Sequence, residues 1–101
     1  MTPCERDSKI EAMFEDDLAL LKKKGADYSG TVDAMANFRD FGFFGIVVRL
    51  NDKMARLRTL AHGGASMVNN ESIIDTLRDL RNYSYLAQIM YVEEEKIGNA
   101  I

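Results

Sequence analysis

The sequence has few of the residues that crosslink a chain or interrupt its helices. Its 101 residues include one cysteine, Cys4, which cannot form an intramolecular disulfide. Because no second cysteine or histidine stands near it, Cys4 also cannot supply a zinc site or an activated thiol. The only proline is Pro3, so no later helix is interrupted by one. We find no signal peptide and therefore expect a reducing cytoplasm as the compartment.

Long apolar runs and an excess of positive charge are also missing. No run approaches the ~20 apolar residues that a membrane helix needs, so we expect no membrane partner. The formal net charge of -3 gives no general attraction to nucleic acid. The chain contains no P-loop, Rossmann glycine pattern or serine-nucleophile motif. With no internal repeat or linker, the composition predicts a single globular domain over residues 1–101, in which Met1 to Asp7 form a flexible lead-in.

Apolar residues recur at helical spacing in the rest of the chain. Ser8 and Glu11 have the spacing of a capping box, which predicts a first helix at about residues 9–24, closed by "KKKG". Further helices are predicted at 31–38, 46–60 and 71 to about 95, the first of these being short. No segment has a convincing strand pattern. The predicted fold class is therefore all-α, a small bundle of three long helices and one short helix.

Three carboxylates stand four residues apart at the start of the last predicted helix, namely Glu71, Asp75 and Asp79. One interpretation is an ordinary solvated face. However, like charges at this spacing destabilise a helix by about 0.2–0.5 kcal/mol per pair, and the same stripe becomes apolar further along. The other interpretation is therefore a cleft in which the carboxylates bind a hard cation, Mg²⁺ or Mn²⁺. In that interpretation Glu71 and Asp75 are also the catalytic residues.

The second long helix carries Arg49, Asp52, Lys53 and Arg56 within about 100° of arc. One interpretation is a surface strip, in which Asp52 and Arg56 form a pair worth about 0.3–0.5 kcal/mol. The alternative assigns phosphate binding to Arg49, Lys53 and Arg56, and makes Asp52 a fourth metal ligand. Arginine suits this task because its planar guanidinium can bond two phosphate oxygens at once.

Other polar residues are weaker candidates. The stretch "KGADYSG" places Lys24, Asp27 and Tyr28 in a predicted loop beside glycines, which suits contact with a base or sugar but equally suits a turn. Asp17 falls on the apolar side of the first helix, so we expect it to be paired or to face the cleft. His62 precedes two glycines and is expected at a helix end rather than in catalysis.

Three spaced motifs follow one another between Lys24 and Leu86: "DY.G", "G...R..DK..RL..L" and "ES..DTL.DL.NY". With these motifs the chain resembles the nucleotide modification associated domain 1 family, short domains of phages and bacteria. The resemblance implies a role linked to nucleotide or DNA-base modification, in a bacterial host or a phage-infected cell.

The segment "ESIID" also gives the chain a more distant resemblance to all-α nucleoside triphosphate pyrophosphatases of the MazG and dimeric dUTPase type. Those enzymes pair "ExxE" on one helix with "ExxD" or "ExxxD" on the next, and the four carboxylates bind Mg²⁺. Here Glu71 and Asp75 match the second half, while the preceding helix offers only Asp52 in place of the first. The resemblance implies a MazG-like fold.

These patterns lead to three hypotheses about function. The first is a metal-dependent domain that binds a nucleoside phosphate, extended to a nucleoside triphosphate pyrophosphohydrolase in which Mg²⁺ activates a water. The second is a non-catalytic phage or bacterial module that binds a nucleotide or a protein partner. The third is a structural dimerising bundle whose carboxylates are salt-bridged across the interface.

The last predicted helix is apolar on nearly every side between Tyr83 and Val92. Such a helix must be buried on every side, and three partner segments in a chain this small can hardly enclose it. We therefore expect a homodimer or a dimer of dimers, with Ile89 and Met90 at the contact.

Overall fold

Three long α-helices carry the structure: α1, Pro3–Tyr28; α2, Gly42–Ala61; and α3, Asn70–Ala100. A 3₁₀ turn, Ala36–Phe38, precedes α2. This computed structural model describes residues 1–28, 33–63 and 70–100, and their side chains at 1–24, 33–63 and 72–96. No strand occurs in those residues, so the all-α prediction is confirmed. Within the same residues, no helix combines the length and apolar content needed to cross a bilayer.

The contacts divide the chain into two units, Met1–Ala34 and Met35–Ile101, which are described separately. The first contains α1, and the second contains the 3₁₀ turn, α2 and α3. The predicted short helix at 31–38 was too long, since its described part is helical only as the three-residue turn. The single-domain organisation stays a prediction.

Helix α1 begins earlier than its apolar pattern indicates. The Thr2 hydroxyl accepts a hydrogen bond from the Glu5 N–H at 3.1 Å, and the Glu5 carboxylate accepts one from the Thr2 N–H at 3.0 Å. This is a capping box, and Pro3 stands at the first helical position, where a missing N–H costs nothing. The predicted lead-in Met1 to Asp7 was therefore wrong from Pro3 onward, because this local cap starts the helix before Ser8.

Helix α1 also ends later than predicted. The segment "KGADY", expected to be a loop, lies in its last turns up to Tyr28. A single glycine costs a helix only about 1 kcal/mol relative to alanine, and no proline follows Gly25 to stop the helix. The lysines before it are good helix formers, so the helix continues through the glycine.

The core of the second unit is small and lies between α2 and α3. Its buried apolar residues are Met35, Ile46, Ala87 and Met90, with Phe38, Phe43, Leu50, Tyr83 and Leu86 packed against them. The rings of Phe43 and Tyr91 meet edge to face with centroids 5.3 Å apart, while Lys53 pairs with Asp79 further along. Since residue numbers rise along α2 as they fall along α3, the two helices are antiparallel.

This core corrects one expectation about the contact surface of α3. Met90 is only 2% exposed and packs within the unit, so its predicted place in a dimer contact was wrong. Tyr85, Ile89, Tyr91 and Val92 are exposed in the same segment. The apolar residues of α3 therefore divide between the core and an open face.

Helix α2 begins at Gly42, four residues before the predicted start, because its cap comes from the far end of α3. The Glu94 carboxylate accepts a hydrogen bond from the Phe43 N–H at 2.9 Å, and Arg39 is ion-paired with Glu93 beside it. A carboxylate at this position satisfies a free N–H and complements the positive end of the helix dipole. Gly42 has φ +62°, a conformation that glycine adopts without strain.

Helix α2 ends where the two glycines predict. The His62 N–H donates to the Arg58 carbonyl at 3.1 Å, and Gly63 follows with φ +67°. This is the usual left-handed glycine after a helix, so the expectation that His62 lies at a helix end is confirmed.

We expect Gly42→Ala to destabilise the protein more than Gly63→Ala. Both substitutions force alanine into a positive φ, at a cost of about 1–2 kcal/mol. At Gly42 the new Cβ would also overlap the Glu94 carboxylate, whose cap is worth about 0.5–2 kcal/mol, whereas nothing described lies within 4 Å at Gly63. Urea unfolding of both variants checks this, and equal losses of unfolding free energy would contradict the role given to Glu94.

Candidate functional site

An ion pair joins the basic side of α2 to the acidic side of α3. The Lys53 Nζ lies 2.8 Å from Asp79 Oδ2, and both side chains are half-buried, with 30% and 28% of their areas exposed. Because α2 and α3 are antiparallel, this contact places the predicted phosphate-binding residues alongside the predicted metal ligands. The sequence predicted the two charged faces but not that Lys53 and Asp79 would neutralise each other.

The basic strip, defined here as Arg49, Lys53 and Arg56, follows one side of α2. Arg49 precedes Lys53 by four residues and Arg56 follows it by three, the spacing of neighbours on a helix surface. Both arginines are exposed, and within the described residues neither makes an ion pair or a hydrogen bond. Asp52, exposed on the same helix, is not ion-paired with Arg56. The strip therefore carries two uncompensated positive charges beside a third that is shared with Asp79.

The acidic ladder, defined here as Glu71, Asp75 and Asp79, lies at the start of α3. The Asp75 carboxylate is 58% exposed and lies 3.8 Å from the guanidinium of Arg78, a weak contact within the same helix. The backbone of Glu71 is in the first turn of α3, and its side chain lies outside the described ones. Of the two ladder carboxylates whose side chains are described, Asp79 is in an ion pair between helices and Asp75 is not.

The predicted metal ligands with described side chains are Asp52, Asp75 and Asp79. Among the described side chains, no three acidic, histidine or cysteine side chains come together as a set able to hold a metal ion. Asp52, Asp75 and Asp79 therefore do not form such a set by themselves. Since the Glu71 side chain lies outside the described ones, the four-carboxylate set stays a prediction.

A neutral oxygen lies in the same stripe as the ladder. Asn82 follows Asp79 by three residues, and its side chain is only 7% exposed. Its Oδ1 is buried and has no hydrogen-bond partner among the described residues. Such an acceptor costs about 1–3 kcal/mol when left unpaired, so native proteins rarely retain one without a reason. The oxygen donors present, two carboxylates and an amide, are of the type that hard cations prefer.

The predicted nucleoside contacts belong to the first unit. Lys24 is exposed on α1, while Asp27 and Tyr28 lie in its last turn with side chains outside the described ones. The expectation that these three residues form a loop was wrong because α1 continues through Gly25, and their binding role stays a prediction. Asp17 is buried at 1% exposure and is not without a partner, in agreement with the expectation of a paired carboxylate.

An acidic run near the end of α3, Glu93 to Glu95, was not singled out in the sequence. Each of its members has a partner in the structure. Glu93 pairs with Arg39, and Glu94 caps α2. Glu95 accepts a hydrogen bond of 2.9 Å from the Tyr91 hydroxyl, which raises the pKa of that tyrosine. Each of these carboxylates is engaged by a partner at hydrogen-bonding distance, whereas Asp75 has only the 3.8 Å contact with Arg78.

No protein family model, curated protein or solved structure matches this chain. The resemblances to the nucleotide modification associated domain 1 family and to the MazG-type pyrophosphatases therefore stay predictions.

Proposed function

We propose that the second unit binds a nucleoside phosphate together with Mg²⁺ or Mn²⁺, on the side of the α2–α3 pair where the basic strip lies alongside the acidic ladder. The observation that carries this proposal is the Lys53–Asp79 ion pair at 2.8 Å. A metal–phosphate ligand needs cations for its phosphate oxygens and carboxylates for its metal, side by side, and this pair marks where the two meet.

The basic strip supplies the phosphate contacts in this proposal. Arg49 to Arg56 spans seven residues, or about 10 Å along a helix at 1.5 Å per residue. Three cations in a row over that length suit a chain of phosphates better than a single one. The guanidinium groups of Arg49 and Arg56 bond two oxygens each, and Lys53 adds a point charge between them.

The carboxylates of Asp75 and Asp79, with Glu71 and Asp52, would hold the cation. When bound there, Mg²⁺ would neutralise phosphate charge and activate a water. Lys53 then has to leave Asp79, and its Nζ turns to the phosphate oxygens. The exchange is possible because the pair is only partly buried, with 30% and 28% of the side-chain areas exposed, and because each charge gains a new partner in the complex.

The finer proposal is a nucleoside triphosphate pyrophosphohydrolase with a MazG-like arrangement, acting in the cytoplasm of a bacterial host or phage-infected cell. Asp75 and Glu71 are its proposed catalytic carboxylates. A purely structural function is the second candidate, and one observation favours it. The Lys53–Asp79 pair links two packed helices and requires no ligand to do so.

We expect nucleoside di- or triphosphates with Mg²⁺ or Mn²⁺ to raise the melting temperature. A ligand at ten times its Kd stabilises the native state by about 1.4 kcal/mol. For a domain of this size that corresponds to roughly 5–10 °C. Differential scanning fluorimetry with nucleoside mono-, di- and triphosphates, each with and without metal, measures the shift. The absence of a shift with every combination would refute nucleotide binding and leave the structural candidate.

Two variants sharpen this experiment. Lys53→Met should weaken nucleotide binding but strengthen binding of Mn²⁺ alone, because the competing ammonium is gone. Arg56→Met, the matched control, removes one positive charge from the same strip without releasing Asp79. It should also weaken nucleotide binding, but it should strengthen Mn²⁺ binding less than Lys53→Met does.

If the unit is an enzyme, we expect Asp75→Asn to abolish metal-dependent release of pyrophosphate. Asp75 is largely exposed, so the substitution should leave the unfolding free energy within about 0.5 kcal/mol of the wild type. Pyrophosphate release and urea unfolding are measured on the same preparations. A large loss of stability with activity retained per folded molecule would instead favour the structural candidate.

We also propose a homodimer or a dimer of dimers that uses the open face of α3. The exposed apolar residues Tyr85, Ile89 and Val92 support it. An open depression on the same helix, lined by Leu77, Leu80, Arg81, Ser84 and Tyr85, adds to the apolar surface. A second copy of the chain would bury such a face by two-fold symmetry.

We expect Ile89→Asp to dissociate this dimer, since a buried unpaired charge at a contact is strongly unfavourable. Sedimentation velocity at micromolar concentration measures the change. Phe44→Asp is the matched control, because Phe44 is an exposed apolar residue of α2 outside the proposed contact. A wild-type monomer, or equal dissociation by both variants, would contradict the proposed contact.

A further inference from the structure

A buried amide oxygen without a partner lies in the stripe of the acidic ladder. Asn82 is 7% exposed, and its Oδ1 accepts no hydrogen bond within the described part of the chain. Buried polar groups are nearly always paired, so an unpaired one calls for a ligand, an ion or a water. A surface asparagine can hydrogen-bond to bulk water, whereas the buried side chain of Asn82 cannot turn freely into solvent.

The position of Asn82 on α3 relates it to the candidate site. Asp79 precedes it by three residues and Asp75 by seven, so all three lie along one side of the helix. Asp79 in turn faces α2, where Lys53 approaches it at 2.8 Å. The unpaired oxygen is therefore a near neighbour of the carboxylate that would bind the cation.

We propose that Asn82 Oδ1 is an oxygen ligand of the divalent cation, next to Asp79. This inference rests on the proposed function and extends its ligand set beyond the four carboxylates. An amide oxygen brings no charge, and amide and carbonyl oxygens are established ligands of hard cations. The ligand set then does not depend on three carboxylates meeting, which the described side chains do not do.

The unpaired oxygen also gives the proposal a consequence for the metal-free protein. A group selected for a ligand is destabilising when the ligand is absent, and replacing it with an apolar group of similar size removes that penalty. Asn82→Leu should therefore unfold at the same or a higher urea concentration than the wild type without metal. A residue with a merely structural polar role would give the opposite result.

The test measures binding of Mn²⁺ alone to the full chain, by electron paramagnetic resonance of the free ion. Asn82→Leu should weaken Mn²⁺ binding at least tenfold, and Asn82→Asp should strengthen it because a charged oxygen replaces a neutral one. Asn51→Leu and Asn51→Asp are matched controls. Asn51 is an exposed asparagine on α2, and its variants should bind Mn²⁺ within about twofold of the wild type.

The outcomes separate this inference from the function on which it rests. Wild-type protein that binds no Mn²⁺ would overturn both. Wild-type binding with Asn82 variants that match the Asn51 variants would overturn only the role of Asn82. If Asn82→Leu is unfolded in metal-free buffer, a structural role for Asn82 is favoured. Asn82→Asp keeps an oxygen at the same position and then decides the question. Tighter Mn²⁺ binding than the wild type would support the ligand role, and unchanged or weaker binding would overturn it.

Discussion

The arrangement of the second unit depends on the packing of Ile46, a residue of α2, against α3. Among the described side chains, Ile46 is the one with no exposed surface, and it shares its buried cluster with Ala87 and Met90. Lys53 is seven residues beyond Ile46, and Asp79 is eight residues before Ala87. At 1.5 Å per residue these are similar distances along two antiparallel helices, so the core contact sets which charges face each other. The candidate site therefore depends on the register of α2 against α3, which is set by the Ile46 contact about two helical turns away from Lys53 and Asp79.

The secondary structure was largely predictable, because it follows from local spacing. Apolar residues at helical spacing, and the absence of proline after Pro3, predicted three long helices, and the described residues contain them. The errors came at helix ends. Ser8 and Thr2 both head a sequence of capping-box type, and only the earlier one starts α1. The start of α2 was not predictable from neighbouring residues, because its cap is Glu94, 51 residues away.

The candidate site was predictable in composition but not in pairing. Helical spacing correctly grouped Arg49, Lys53 and Arg56, since that grouping needs no tertiary information. The choice of Asp79 as the partner of Lys53 depends on the register of two helices, which spacing within one helix does not contain. Asn82 has the polarity of a surface residue in the sequence, and only its burial distinguishes it from Asn51.

The cap that Glu94 places on α2 has a consequence for the order in which the chain becomes structured. The capping box of α1 joins residues three apart, so it can form as soon as Glu5 follows Thr2 out of the ribosome. The first turn of α2 lacks its carboxylate until residue 94 leaves the ribosome, and closing so long a loop is slower than forming a local contact. The amino end of α2 is thus without its cap during synthesis until Glu94, 51 residues after Phe43, has appeared.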